Sequence, residues 1–156
     1  MTNLCLKNKS FFLLLGLTLF SLFSCKTHKE MPNEVKTEMN FIKTADIDYV
    51  RSLAVKQDKL IFIDFYADWC LHCKMMDEEV FSDNDVQEYL NKHFISVKVE
   101  ADKGAGYQLA TRYLVEVYPT LLFLDQDGKE LTRKLGAAFH RELYGLGDDA
   151  ISISQN

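Results

Sequence analysis

The chain has 156 residues, with hydrophobic residues at 47% and charged residues at 26%. That mix fits one folded domain with an appendage and excludes a disordered polymer or a two-domain protein. The formal net charge is −5, with no basic cluster able to neutralise a row of phosphates, so nucleic acid is not expected as a partner.

Residues 1–24 read as an export signal. Lys7 and Lys9 supply the positive start, and Phe11 to Phe23 supply an apolar core of 13 residues. A bilayer-crossing helix needs about 20 apolar residues, so this core is short for a permanent span. Leu22-Phe23-Ser24-Cys25 resembles the lipobox of bacterial lipoproteins. That resemblance implies acylation of Cys25, which would become the mature N-terminus. Phe23 is bulkier than the usual lipobox residue, and ordinary secretion is the alternative. A lipid anchors a protein without spanning the membrane. Residues 25–40 are polar, lack an apolar period, and are expected to tether lipid to domain.

The folded part is expected over residues 41–150, with 151–156 as a tail. A short strand is expected near Asn40 to Lys43. Asp46 to Gln57 reads as a helix, with Ile47, Val50 and Ala54 at helical spacing. Leu60 to Tyr66 is a nearly continuous apolar run, suited to a strand covered on both faces. Cys70 to Val80 reads as a helix. Ser82 is the expected cap of the next helix, Asp83 to Lys92. Phe94 to Ala101 alternates as a strand, and Ala105 to Leu114 reads as a helix. Thr120 to Leu124 and Lys129 to Leu135 form a hairpin about a turn at residues 125–128. A last helix begins at His140, weakened by Gly145 and Gly147. The order β-α-β-α-α-β-α-β-β-α predicts an α/β fold: a central mixed sheet with helices on both faces.

There are four cysteines: Cys5, Cys25, Cys70 and Cys73. Cys5 leaves with the signal, and Cys25 carries lipid if the lipobox reading holds. One C-x-x-C pair then remains. A bridge over two intervening residues closes too small a loop to stabilise much through chain entropy. Structural zinc wants four ligands, and no second pair exists. Redox chemistry is therefore the stronger reading, and no cofactor is expected. A competing reading takes Cys70, His72, Cys73, Met75 and Met76 as a soft-ligand cluster for Cu(I) delivery. Against it, the methionines continue the helix and could fill core.

The run Ile63 to Lys74, IDFYADWCLHCK, resembles the active-site segment of the thioredoxin superfamily through Asp64, Ala67, Trp69, Cys70, Cys73 and Lys74. Val117-Tyr118-Pro119-Thr120 resembles that family's cis-proline loop. The longer run from Ala67 to Gln87 is similar to the C-terminal periplasmic domain of bacterial thiol:disulfide interchange proteins. The resemblance implies a thioredoxin-like fold in a stand-alone lipoprotein facing the periplasm. It implies an envelope electron donor and exported proteins bearing disulfides or thiols as partners.

It also implies residue roles. Cys70, at a helix start, is the nucleophilic thiolate, and Cys73 the resolving thiol. Asp64 moves the proton of Cys73; the alternative is an acid at the strand edge facing water. Trp69 covers the pair and offers contact surface. Tyr118 and Pro119 line the substrate groove, with Tyr118 larger than is usual there. Lys98 falls where some thioredoxins place a lysine near the acid, but reads more simply as an exposed strand residue. A histidine before the second cysteine, as His72 stands here, also occurs in oxidising members. The interchange-like context favours a protein-disulfide reductase, and an oxidase or isomerase is the alternative. An inactive interaction module on the same fold is the remaining one.

Overall fold

A computed structural model describes residues 39–156. The expected signal, the lipidation site Cys25 and most of the tether lie outside these residues. Five strands and five helices follow in the expected order. They are β1 (Ile42–Lys43), α1 (Ile47–Gln57), β2 (Leu60–Tyr66), α2 (Leu71–Glu79) and α3 (Asn84–His93). Then come β3 (Phe94–Glu100), α4 (Gly104–Arg112), β4 (Thr120–Leu124), β5 (Glu130–Leu135) and α5 (His140–Ser154).

The sheet order is β1-β3-β2-β4-β5. β1, β3 and β2 run parallel, while β4 pairs antiparallel with β2 and with β5. β2 is central and both its faces are covered, which is why its sequence is apolar without alternation. Ile61, Ile63 and Phe65 pack with Val50 and Ala54 of α1 and Leu109 of α4. Phe62 turns the other way, into a layer with Met76 of α2, Leu90 of α3 and Leu143 of α5. Residues of odd number on β2 thus face α1 and α4; those of even number face α2, α3 and α5. Asp64 has the second parity.

Several boundaries shift by a residue or two from the sequence expectation, and three differences bear on the packing. Asp83, not Ser82, caps α3, accepting the N–H groups of Asp85 at 2.9 Å and Val86 at 3.2 Å. The Ser82 hydroxyl instead donates to the Glu78 carbonyl at 2.6 Å and closes α2. α5 runs through both glycines to Ser154, with Ile151 packed on the core, so the expected tail shrinks to Gln155 and Asn156. Gly147 is a packing requirement: a Cβ there would lie 2.5 Å from the Tyr89 hydroxyl oxygen. At the other end, Met39 and Phe41 pack against the core, so the last residues of the expected tether belong to the fold.

Candidate active site

β2 ends at Tyr66, and a short connection leads to α2. Its last residue, Cys70, is the helix N-cap, with φ −76° and ψ 110°. The Cys70 Sγ accepts the backbone N–H of Cys73 at 3.1 Å. One of the four N–H groups that a helix start leaves unpaired is therefore aimed at this sulfur. Once the sulfur is a thiolate, that N–H and the helix dipole both stabilise its charge. In the structure Cys70 and Cys73 form a disulfide, with Cα atoms 5.3 Å apart. Both cysteines are buried, packed with Ala67 and against Tyr66 and Tyr118.

The Tyr118–Pro119 peptide bond is cis, and Pro119 is buried at the start of β4. This meets the expectation for that loop. Tyr118 packs against the cysteine pair, and its ring meets Trp69 edge-on at a centroid distance of 5.8 Å. Its hydroxyl donates to the Ala101 carbonyl at 3.2 Å. Trp69 stands outward, 70% exposed, and its indole N–H donates to Asp102 Oδ2 at 2.9 Å. The two aromatic residues are thus tied to consecutive positions of the loop after β3. Trp69 offers contact surface; Asp102, which holds it, carries no signal in the sequence. Leu71 and His72 are exposed at the first turn of α2.

Asp64 is 1% exposed, so the alternative of a water-facing edge acid does not hold. Its register partner on β3 is Lys98. Lys98 is also buried, at 8% exposure, and corrects the expectation of an exposed strand residue. Its alternating pattern was that of one sheet face, but helices cover that face. The Lys98 ammonium lies 3.4 Å from Asp64 Oδ2 and makes a close ion pair with Asp77. Three rings surround it: Tyr66 at 4.9 Å, Phe41 at 5.4 Å and Phe81 at 5.7 Å. Cation–π attraction and two carboxylates keep this buried charge favourable.

Burial pushes the Asp64 carboxyl up from 3.8 to about 6; Lys98 opposes that rise and Asp77 adds to it. Asp64 Oδ1 has no hydrogen-bond partner among the described residues. A carboxyl of this kind can take up or release a proton near neutral pH. Asp77, unnoticed in the sequence, lies four residues after Cys73 and so one turn along the same helix. That spacing was its only available signal.

Met76 is wholly buried and Met75 packs against the same core layer. Their sulfurs serve packing, which removes two members of the soft-ligand cluster. Among the described residues no group of three or more His, Cys, Asp or Glu could hold a metal ion.

The thioredoxin-like domain model matches residues 48–151, two thirds of the sequence. The chain belongs to the thioredoxin-like family. It is 36% identical over 102 residues to the thiol:disulfide interchange protein DsbD of Yersinia pestis, covering 64% of this chain and 17% of that protein. The chain therefore spans about a sixth of the length of the curated relatives it matches. The oxidised C-terminal domain of DsbD from Neisseria meningitidis has TM-score 0.54 at 25% identity, covering 74% of this chain and 97% of that one. A thioredoxin from Thermus thermophilus has TM-score 0.60 at 25% identity, covering 75% and 87%. With Cys70 and Cys73 in bonding distance, this member of the family is a thioredoxin-fold disulfide oxidoreductase.

Proposed function

We propose that this chain is an envelope reductase of protein disulfides, held to a membrane by lipid on Cys25. The observation that carries the redox reading is the Cys70–Cys73 pair at the start of α2, with Cys70 Sγ receiving a backbone N–H. Likeness to an interchange protein supports the reducing direction and the periplasmic face. No helix among the described residues is long and apolar enough to cross a membrane. Attachment would then come from the lipobox-like segment ending at Cys25.

In the reduced state Cys70 is the thiolate. It attacks one sulfur of a substrate disulfide, forming a mixed disulfide and expelling the other sulfur as a thiolate. Cys73 then gives its proton to Asp64 and attacks Cys70 Sγ. The Cys70–Cys73 bridge closes, the second substrate thiolate leaves, and two electrons have passed to the substrate. An envelope electron donor reduces the bridge again. Tyr118 and Pro119 form one wall beside the pair, with Trp69 at the rim. An extended stretch of an exported protein would lie there.

The reduction potential of the pair tests direction. A value near that of thioredoxin, about −270 mV, supports the reductase; one near about −120 mV makes the protein an oxidant. His72, exposed one residue before Cys73, is the side chain whose replacement should move that value. Reduction of insulin disulfides by the wild type, and its absence in Cys70→Ser, checks the activity itself. Incorporation of labelled palmitate at Cys25 in cells, lost in Cys25→Ala, checks the anchor.

A further inference from the structure

Leu114 breaks two local rules at once. Its φ is 54°, in the left-handed region, at the position after the cap of α4 where glycine or asparagine is usual. Its side chain is 75% exposed, so no burial offsets that conformation. The surrounding backbone fixes it there. Leu114 N–H donates to the Thr111 carbonyl at 3.1 Å, and Val115 N–H to the Ala110 carbonyl at 2.9 Å. The Tyr113 carbonyl accepts from the Arg133 guanidinium at 2.9 Å. A bulky apolar residue held this way gains nothing from its own fold. Such outliers gather where a chain meets something else.

Leu114 lies at the end of an apolar strip. Val117, Trp69 and Tyr107 of the first turn of α4 are exposed as well. Tyr118 follows Val117, packs against both cysteines and meets Trp69 edge-on. Burial pushes the Tyr118 phenol up, and Asp102 and Tyr107 add to the rise, so Tyr107 stands within reach of that ring. Arg112 and Glu116, exposed on the same segment, carry opposite charges, so the strip selects for apolar surface and not for charge. Four residues of chain lead from Leu114 to Tyr118, a span of at most about 14 Å. An extended polypeptide covers that distance in about four residues.

We propose that this strip holds an exported polypeptide beyond its disulfide, with Leu114 receiving an apolar side chain about four residues from the cysteine that Cys70 attacks. A chain whose sulfur has reached Cys70 already lies beside Tyr118, and its next residues run over the strip or leave the surface. The inference rests on the reading of the protein as an oxidoreductase of exported polypeptides. It holds for either direction of electron flow.

The test uses the full chain carrying Cys73→Ser, reduced, and a set of polar peptides with one cysteine bridged to thionitrobenzoate. Each peptide carries a single leucine, placed one to six residues from the cysteine on either side. Cys70 attacks the peptide sulfur, a Cys70–peptide disulfide forms, and thionitrobenzoate leaves as a coloured thiolate. The chain that also carries Cys70→Ser supplies the blank for other thiols. The rate should peak for leucine three to five residues away on one side, on the order of fivefold above the leucine-free peptide. Leu114→Gly should flatten that peak, while Val55→Ser, which removes an equally exposed apolar side chain from α1, should keep it. Leu114→Gly should also melt about 2–5 °C higher in the same background, because glycine takes this φ freely. Rates without a distal peak, or a peak that survives Leu114→Gly, overturn the docking strip. A lower melting temperature overturns its premise, since the side chain would then serve the fold. Self-association in sedimentation that Leu114→Gly abolishes puts a second copy on the strip and overturns it too. Failure to attack any peptide is a different result, and removes the oxidoreductase reading itself.

Discussion

Replacing Asp64 by Asn should stabilise the oxidised protein at neutral pH while impairing its chemistry. The carboxyl is wholly buried, with Oδ1 unpartnered among the described residues and Oδ2 shared with a lysine that also serves Asp77. Its native value of about 6 stands above the ordinary 3.8. At roughly 1.4 kcal/mol per pH unit, holding it ionised costs about 3 kcal/mol relative to the unfolded chain. Because the folded value is raised, native protein binds the proton more tightly than unfolded protein does. The contribution is fully present below pH 3.8 and is lost as pH rises through about 6. Asparagine keeps the shape and has no such proton. Urea unfolding of both proteins, oxidised, from pH 4 to pH 8 reads the difference. Asp64→Asn should gain on wild type by about 3 kcal/mol across that window, most of it between pH 4 and 6. A difference that stays flat within about 0.5 kcal/mol, or that runs the other way, would refute the buried-charge account.

Other substitutions follow from local geometry. Asp83→Ala should cost about 1 kcal/mol by unfolding titration, since two helix N–H groups lose their acceptor, while Ser82→Ala should stay within about 0.5 kcal/mol. Gly147→Ala should cost about 1–3 kcal/mol because its Cβ meets a Tyr89 hydroxyl already donated to Asp148 at 2.7 Å. Gly145→Ala, with nothing within 4 Å of its Cβ, should instead gain up to about 1 kcal/mol by the same assay. Cys73→Ser should accumulate a mixed disulfide through Cys70 that mass spectrometry detects, whereas Cys70→Ser should accumulate none.

The sequence exposed much of this site, and for identifiable reasons. β2 is apolar on both faces, so the one carboxylate within it, Asp64, stands out at once. A C-x-x-C pair opening a helix is equally plain, and proline at 119 before an apolar strand marks the loop beside it. Lys98 was harder. Phe94, Ser96 and Lys98 share one parity of β3, and two polar residues of three suggest a wet face. The parity was right and the solvent was wrong, because α2, α3 and α5 cover that side. Asp77 sits in an acidic run with Glu78 and Glu79, and only the helix phase relative to a buried Lys98 distinguishes it. Asp83 beat Ser82 as a cap because Ser82 still belongs to the end of α2, where its hydroxyl reaches back to Glu78.

In the proposed mechanism Lys98 sets how readily Asp64 takes up a proton. Asp64 and Asp77 bring two negative charges to one ammonium. With both ionised the cluster carries one net negative charge; with Asp64 protonated it is neutral. Uptake of the Cys73 proton therefore relieves a buried imbalance, which favours Asp64 as acceptor. Lys98 sets the limit. Without its charge, burial and Asp77 would act on Asp64 unopposed and push the carboxyl higher still. An occupied acid cannot accept another. Lys98→Met keeps length and apolar contact with Phe41 and Phe81 while removing that charge. It should move the lower limb of the pH–rate profile for bridge closure upward from about 6, by about one pH unit or more. The rate at pH 7 falls, and recovers toward the wild-type value as pH rises and Asp64 ionises. A limb that stays near pH 6 would mean that Lys98 balances Asp77 alone and leaves Asp64 untouched.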